Sequence, residues 1–444
     1  MMVINKISYC CGKNDIELTQ FGAIPNDELD DTQYVEKALL YCQSRKINSL
    51  KISGGVYNIS SIFIDEGIKI YSNDNSSFKR LANQDKWSRM FTTYINGKYM
   101  SKNLTIQFEG LRFDGNYLEQ GNFSNHELEH QAIIFISGDI SKKSQIKVSV
   151  KNCRFSNSAG DGIHLHQNVN ASIEYCNFKN LFRGAVTMTG GNSDILLKNL
   201  KVERGEIISG IDVEYDSPGD NNDQSIRIVA KNLNVDGDFD IGLMEGCFKG
   251  DNIICLSPPL NFFASNAKIS INNSKFYGGE IEDCRIIYPH NVSFNKCNFY
   301  LSPNLENDNV VGNFVVLFNS SDKTMYGGLL KFENCNFYCD EISTNKYKKY
   351  AIRTYSDVAE RNNRLIITKC KFYNYSIGVL GATGGSFFLS KNYFDCEEAY
   401  RLDSQINSLE NYNLSVEVSN NKFSSNGKRK FINKHKNNKI KESE

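Results

Sequence analysis

A short phrase recurs along most of the chain: an alternating apolar stretch, then Cys or Leu, one variable residue and a large apolar residue. The clearest copies are VKNCRF, IEYCNF, VSFNKCNF, LKFENCNF and LIITKCKF, which end at Phe155, Phe178, Phe299, Phe337 and Phe372. Weaker copies end at Phe113, Val202, Val235, Phe276, Phe394 and Phe423. A phrase repeated in this way indicates a structural unit that stacks on copies of itself.

The repeat has the period of a β-strand, because the apolar residues of VKNCRF and IEYCNF fall on every second position. The tightest spacings are 23 residues, from Phe155 to Phe178, and 24 residues, from Phe178 to Val202. Such a length suits one coil of short strands, whereas a strand–helix–strand unit needs about 30 residues. We therefore predict an all-β fold, a right-handed parallel β-helix of about 10–12 coils with a short N-terminal capping helix.

The cysteines share one position of the repeat with leucine. Two residues before a large apolar residue stand Cys153, Cys176, Cys284, Cys297, Cys335 and Cys370, and in other copies Leu111, Leu200 and Leu233. A position shared by Cys and Leu is an inward, apolar one, where free Cys packs as a small hydrophobe. We expect a buried ladder of reduced thiols; a disulfide framework or metal cluster is the alternative, although no C-x-x-C pair is present.

Charge and hydropathy limit the partners. The formal net charge is zero, so the chain as a whole attracts neither nucleic acid nor an acidic membrane. The N-terminal stretch MMVINKISYCCGKND lacks the apolar core of a signal peptide, and no later stretch has membrane-spanning length. We expect a cytoplasmic or virion-associated protein without a nucleic-acid or membrane partner.

The chain divides into three parts. Residues 1–60 are predicted to form an N-terminal cap, residues 61–425 the β-helix, and residues 426–444 a basic, disordered tail. The cap contains the one strong helix pattern, over 30–47, in which Val35, Ala38, Leu39 and Cys42 fall on one face. Such a helix would cover the exposed strand edges of the first coil.

The N-terminal segment also carries a specific set of motifs. They are FGA at Phe21–Ala23, DDT at Asp30–Thr32, Gly55-x-Tyr57 and FDGN at Phe113–Asn116. This segment resembles the start of the pectate lyase/polygalacturonase-type β-helix superfamily, which includes phage tailspikes and other polysaccharide-degrading proteins. It departs from the family at 25–29, where PNDEL replaces a Gly-containing turn. The resemblance implies the fold and a polysaccharide substrate, and it leaves a homotrimer open.

Three strands that follow the repeats carry the best candidate site. They are IHLH at 163–166, VTMT at 186–189 and IDVE at 211–214, each with apolar first and third residues. If those residues point inward, the second and fourth point outward. Stacking then predicts two outward columns, one of His164, Thr187 and Asp212 and the other of His166, Thr189 and Glu214.

The carboxylates of this patch suggest glycosidase chemistry. Asp212 and Glu214 lie two apart on one strand face, so their Cα atoms are about 6.5–7 Å apart. Carboxyl groups about 6.5–9.5 Å apart suit an inverting glycosidase, with one acid and one base. We predict that Asp212 and Glu214 are the acid and base. Asp161 is a further catalytic candidate, and the predicted substrate contacts are His164, His166, Arg183, Asp216 and Glu245.

The sequence therefore predicts a polysaccharide-active protein, most simply a hydrolase that depolymerises a bacterial capsular or exopolysaccharide. One alternative is a lyase or uronate epimerase, with His164 or His166 as the base and Arg183 neutralising the uronate carboxylate. Another is a non-catalytic carbohydrate-binding or polysaccharide-biosynthesis protein. We expect no cofactor and no metal centre, with a bound divalent cation such as calcium left open.

One further motif is a literal H-E-x-x-H at His126–His130. On a helix this spacing would place two His on one face for zinc. The motif lies in a long insertion between two repeats and lacks a convincing third ligand downstream. We do not predict a zinc protease, but His130 is a candidate to meet Asp161 and His164 across coils.

Overall fold

A computed structural model gives the structure of this chain. It describes residues 16–121, 128–139, 145–204, 210–214, 225–257, 260–278, 284–301, 311–318, 328–340, 349–355, 363–382, 385–402, 414–424, 429–433 and 439–443. The described strands pair in parallel with strands one coil before and after, so the fold is a parallel β-helix, as the repeat predicts.

Each coil contributes to three sheets, which we call sheets A, B and C. Sheet A contains Ile16–Glu17, Ser49–Lys51, Ile68–Tyr71, Leu104–Glu109, Ile146–Lys151, Val169–Glu174, Asn291–Asn295, Leu329–Glu333, Arg364–Thr368, Gly385–Ser390, Leu414–Ser419 and Lys439–Ser443. Sheet B contains Val56–Ile59, Ser77–Arg80, Arg112–Asp114, Arg154–Ser158, Asn177–Leu181, Lys275–Gly278, Asn298–Leu301, Asn336–Cys339 and Lys422–Phe423. Sheet C contains Ile62–Phe63, Phe91–Thr92, Ile134–Ile136, Ile163–Leu165, Val186–Met188, Ile211–Val213, Cys284–Ile287, Val311–Leu317, Lys349–Tyr355 and Arg429–Asn433.

Six longer strands pass from one sheet to the next without a break. They are Ser193–Glu203 and Ser225–Val235 (A to B), Phe239–Cys255 (C through A to B), Leu260–Asn272 (C to A), and Lys371–Ala382 and Tyr393–Leu402 (B to C). With these, the described part of sheet C has fourteen strand segments, more than the 10–12 coils expected.

The repeated phrase runs from sheet A around a bend into sheet B. In VKNCRF the bend is at Asn152, whose φ of 55° is a left-handed conformation that Asn tolerates. Phe155, at the end of the phrase, is buried and stacks between Phe113 and Phe178 at 4.9 Å on each side. The phrase therefore supplies one rung of the apolar core to each coil that carries it, and the rung is aromatic where the phrase ends in Phe.

The cysteine ladder is confirmed as part of this core. The predicted position of the repeat holds buried side chains of both types. They are the free cysteines Cys153, Cys176, Cys297, Cys335 and Cys370 and the leucines Leu111, Leu200 and Leu233. Cys284 does not belong to this ladder, because it pairs with Leu260 in sheet C. The motif is therefore a packing device, and the disulfide interpretation is wrong for the described cysteines.

The predicted capping helix is present as Thr32–Arg45, with Val35, Ala38 and Cys42 buried. Just before its first turn, Asp30 Oδ1 accepts a hydrogen bond from Thr32 N at 2.9 Å. The helix packs against the 3₁₀ turn Leu18–Phe21, against Ser49–Lys51 of sheet A and against Ile62–Phe63 of sheet C. A second 3₁₀ turn, Tyr117–Glu119, follows FDGN.

The boundaries differ from the three predicted parts at both ends. Ile16–Glu17 already pairs with Ser49–Lys51, so the coils begin well before residue 61. In the predicted tail, Arg429–Asn433 and Lys439–Ser443 pair with the coil before them. Backbone pairing at an open strand edge accounts for these strands, although their sequence lacks a strong apolar pattern. No helix in the described residues has the length and apolar character needed to cross a membrane.

Candidate functional site

The first predicted column is present on sheet C. His164 pairs with Thr187, and Thr187 pairs with Asp212. The column then continues through Asp240 and Asn261 to Arg285, one residue per coil. The strand register therefore places a run of polar and charged residues along the helix axis.

The second predicted column is held by one side-chain contact and one backbone hydrogen bond. His166 Nδ1 and Thr189 Oγ1 are 2.8 Å apart, and Glu214 N donates to Met188 O in the neighbouring coil at 3.0 Å. Thr187 and Thr189 are buried rather than exposed, because other polar groups cover them. The patch is thus a packed polar network with an open end at Asp212 and Glu214.

Asp161 organises the buried end of this network. Its Oδ1 accepts hydrogen bonds from Thr187 Oγ1 at 2.6 Å and from Gly184 N at 3.0 Å. Its Oδ2 lies 3.0 Å from His164 Nδ1 and 3.8 Å from Arg183 Nη1. Burial by itself would raise the pKa of Asp161, but His164 and Arg183 outweigh it and hold that pKa below its ordinary value. Asp161 is fully buried, which favours a positioning role over the catalytic one predicted.

The two histidines share one threonine hydroxyl. His164 Nε2 is 2.9 Å from Thr189 Oγ1, which also contacts His166 Nδ1. His164 therefore has both ring nitrogens engaged. Burial lowers the pKa of His166 to about 4, so this imidazole is neutral at neutral pH. The His166 ring also stacks against Tyr99, with centroids 5.6 Å apart.

Arg183 joins the two ends of the network. Its Nη2 donates to both carboxylate oxygens of Glu214 at 2.7 Å, while Nη1 faces Asp161. Burial would lower the pKa of Arg183, but the charges of Asp161 and Glu214 outweigh it and raise that pKa. Arg183 is therefore a fixed cation that binds Glu214 through both carboxyl oxygens.

Asp212 lies in an environment that disfavours its negative charge. Burial, followed by the negative charge of Glu214 and a hydrogen bond to it, raises the pKa of Asp212 to about 8. In the next coil, burial raises the pKa of Asp240 to about 6, and a hydrogen bond from Asn261 opposes that rise. At neutral pH Asp212 is therefore mostly protonated and Asp240 mostly ionised.

These carboxyl groups line a pocket of about 610 Å³ on the outer face of sheet C. Its wall contains Asp212, Glu214, Asp240, Asn261, Phe263 and Arg285. The pocket combines carboxyl groups in two protonation states with an amide, an aromatic ring and a guanidinium. Such a set can exchange protons with a bound hydroxylated ligand.

Asp240 was missed by sequence reasoning, although a signal for it exists. FDIG at 239–242 repeats the pattern of IDVE, with an acid at the second position. Glu245, which was predicted to extend the patch, instead pairs with Ser225 and Asn266 in sheet A and is exposed there. Asp216 lies outside the described residues.

Of the H-E-x-x-H motif, His126 and Glu127 lie outside the described residues. His130 does not bind Asp161 or His164 directly; its ring stacks on Trp87 with centroids 4.1 Å apart. Within the described ranges, no group of three or more His, Cys, Asp or Glu is arranged to hold a metal ion.

Comparison with known proteins supports the fold. No protein-family model matches the sequence, and no curated protein matches it. A double mutant of the tailspike protein of E. coli bacteriophage HK620 is similar, with TM-score 0.55 and 11% identity over 96% of this chain and 80% of that chain. The same tailspike protein in complex with a pentasaccharide gives TM-score 0.51 and 11% identity over the same shares. The A-module of an Azotobacter vinelandii mannuronan C-5 epimerase gives TM-score 0.48 and 10% identity over 92% and 99%. The tailspike similarity shows that the chain shares the parallel β-helix fold.

Proposed function

We propose that this β-helix binds a polysaccharide along sheet C and hydrolyses a glycosidic bond in the Asp212 pocket. The observation that carries the proposal is the contrast between two carboxyl groups on one strand. Asp212 is buried and has its pKa raised to about 8, whereas Glu214 on the same strand accepts two hydrogen bonds from the Arg183 guanidinium. Carboxyl groups whose environments separate their protonation states are the usual acid and base of a glycosidase.

In this proposal Asp212 is the general acid. Its proton passes to the glycosidic oxygen of the departing sugar, so that the leaving group departs as a neutral hydroxyl. Glu214 was predicted from the sequence as the partner base, but both of its oxygens already accept hydrogen bonds from Arg183. Because the charge of Glu214 and a hydrogen bond to it contribute to the raised pKa of Asp212, Glu214 is better suited to keeping Asp212 protonated than to acting as the base.

Asp240 is the better candidate for the second catalytic carboxylate. It pairs with Asp212 in the adjacent coil, and its pKa of about 6 leaves it ionised at neutral pH. Paired residues in adjacent coils are about 4.8 Å apart, close to the about 5–5.5 Å carboxyl separation of retaining glycosidases. We therefore propose that Asp240 attacks the anomeric carbon and that a water molecule then releases the sugar.

The contacts of Arg183 and the histidines speak for hydrolysis over the lyase alternative. A lyase would need Arg183 to neutralise a uronate, yet its guanidinium faces Glu214 and Asp161. It would also need an accessible histidine base, whereas both nitrogens of His164 are hydrogen bonded and the pKa of His166 is low. A tailspike protein with the same fold is known in complex with a pentasaccharide, which fits a glycan as the ligand.

The test is digestion of a panel of purified bacterial capsular polysaccharides. Hydrolysis predicts new reducing ends without the ultraviolet absorbance of unsaturated uronates, and Asp212→Asn should remove this activity. Asp340→Asn, at an exposed aspartate, is the matched control and should cleave normally. Unsaturated products would instead establish a lyase, and glycan binding without any product would establish a binding protein.

A further inference from the structure

We propose that Trp87, backed by His130, is a sugar-stacking platform that binds the substrate glycan at a second subsite on the N-terminal side of the Asp212 pocket. The proposal rests on the proposed function, because it extends the same glycan along sheet C. The subsite would take the apolar C–H face of a pyranose ring in an oligosaccharide.

The first observation is the geometry of Trp87. It is the chain's one tryptophan, and 53% of its surface is exposed. One ring face lies on the His130 imidazole, with centroids 4.1 Å apart and planes 8° apart. A flat indole with one face supported presents its remaining surface without a further loss of side-chain freedom, which favours a ring-shaped ligand.

The second observation is that Arg80 locks together the two loops that carry this ring pair. Arg80 is 1% exposed. Its Nη1 donates to Ser88 O at 2.8 Å, and its Nη2 donates to Gln131 O at 2.8 Å and to Ala132 O at 2.9 Å. One residue beyond Trp87 and one beyond His130 are thus held by the same guanidinium. Burial lowers the pKa of Arg80 to about 9, which shows how strongly its charge is desolvated.

Gln131 adds a second connection between the loops. Its side chain is fully buried, and its Nε2 donates to Gln84 O at 3.1 Å and to Asp85 O at 3.0 Å. Asp85 in turn accepts a hydrogen bond from Trp87 N at 2.8 Å. Two buried polar side chains thus hold the two loops together, and a platform that is fixed before binding loses less conformational freedom when a ligand binds.

The third observation is that the platform is joined to the network of Asp161. Ile133 N donates to Asp161 O at 2.9 Å, and Ser158 Oγ donates to Gln131 O at 3.3 Å. A Cβ atom on Gly160 would lie 2.5 Å from Glu129 O, so the His130 loop packs directly on this bend. The platform and the carboxyl network are therefore held in one fixed relation.

The strand register separates the strand that follows Trp87 from the Asp212 pocket by several coils. Trp87 precedes Phe91–Thr92, which pairs with Ile134–Ile136, and four steps along sheet C lead from Thr92 to Asp212. Four steps of about 4.8 Å place Thr92, in the strand that follows Trp87, about 19 Å from Asp212 along the helix axis. Tyr99, which is 38% exposed and stacks on His166, lies on this side of the patch. A monosaccharide cannot span this distance, so the substrate class is a polymer or an oligosaccharide of several rings.

The experiment uses Trp87 as its own reporter. Oligosaccharides of graded length, prepared by partial acid hydrolysis of the capsular polysaccharide panel, are titrated into the full chain carrying Asp212→Asn, which should not cleave them. We expect a saturable change in tryptophan fluorescence with the longer fragments and none with monosaccharides. The proposal would be overturned if calorimetry detected glycan binding while the tryptophan fluorescence stayed constant. It would also be overturned if no fragment of the panel changed the fluorescence.

Substitution gives a second readout in the chain with Asp212 intact. Trp87→Ala should raise KM for the polymer about tenfold with a much smaller change in kcat, since it removes binding remote from the reacting bond. Trp87→Phe should restore most of the affinity because it keeps a flat ring. Tyr175→Ala, at an aromatic residue 49% exposed outside sheet C, is the matched control and should leave KM unchanged. An unchanged KM in Trp87→Ala would refute the platform while leaving hydrolysis in place. A fluorescence response to glycans without any cleavage would refute hydrolysis and retain the platform.

Discussion

Replacing Asp212 by asparagine should stabilise the protein, and the gain over the wild type should grow as the pH rises. The pKa of Asp212 is raised to about 8 in the folded chain, from an ordinary value of 3.8. Between these two values the folded state holds a proton that the unfolded state has released. As the pH rises through this window, the Asp212 carboxyl group therefore lowers the free energy of unfolding progressively. At low pH the group is protonated in both the folded and the unfolded state, and this loss of stability disappears.

The size of the effect follows from this difference. The interval from 3.8 to pH 7 is about three pH units, and each unit corresponds to about 1.4 kcal/mol, which gives an upper limit of about 4 kcal/mol. Part of the shift in the Asp212 pKa comes from the negative charge of Glu214, and this interaction is lost on unfolding. We therefore expect Asp212 to lower the free energy of unfolding by about 2–4 kcal/mol at pH 7. The Asp212→Asn substitution would remove this cost, since an amide of the same shape can still donate to Glu214.

The assay is guanidinium unfolding of the wild-type chain and the Asp212→Asn variant between pH 5 and 8.5. We expect the two free-energy curves to diverge with rising pH, with the variant above the wild type. Asp340→Asn should run parallel to the wild type, because that aspartate is exposed. Infrared difference spectra should show a protonated carboxyl band at pH 7 that the Asp212→Asn variant lacks. Parallel curves for Asp212→Asn and no such band would refute the assignment of a protonated Asp212.

Three further predictions concern the platform, the core and the reaction. Gly160→Ala should lower the free energy of unfolding by more than about 2 kcal/mol, because its Cβ would lie 2.5 Å from Glu129 O, and an unchanged thermal midpoint would contradict the packing described. Cys335→Ser should cost about 1–3 kcal/mol because it buries a hydroxyl in an apolar ladder, and the native Cys335 thiol should resist thiol reagents until the chain is unfolded; rapid labelling of the native chain at Cys335, located by peptide mapping, would show that the ladder is open. Nuclear magnetic resonance of freshly released sugar should show retention at the anomeric carbon if Asp240 is the nucleophile, and inversion would exclude that role.

The sequence predicted the fold because the apolar residues of the repeat alternate with the period of a strand, because its tightest copies are 23 and 24 residues apart, and because one of its positions tolerates both Cys and Leu. That alternation identifies an inward residue, and inward residues at strand spacing define the coil. The register of His164, Thr187 and Asp212 followed by counting from the ends of the repeats, and the structure confirms it.

Counting failed where a strand passes through a corner without a break. Phe239–Cys255 runs through all three sheets, so Glu245 falls in sheet A while Asp240 takes the place above Asp212. The pattern FDIG was the available signal, but Phe239 follows Val235 by only four residues, whereas the other three strands begin eight or nine residues after their repeats.

The burial of the network could not be read from alternation. Asp161 lies on a bend, and its environment depends on Gly184 and Thr187 in the next coil. The stacking of Trp87 on His130 joins loops 43 residues apart that contain no copy of the repeat. Contacts of this kind depend on the three-dimensional packing of irregular segments, for which the sequence has no periodic signal.

The most direct test of the central claim is the pH dependence of kcat/KM for cleavage of a capsular polysaccharide. If Asp240 must be ionised and Asp212 protonated, the profile should be bell-shaped, with an acidic limb near the Asp240 pKa of about 6 and a basic limb near the Asp212 pKa of about 8. A rate that keeps rising above pH 9, or the absence of cleavage at every pH across the panel, would contradict the assignment of Asp212 as the acid of a polysaccharide hydrolase.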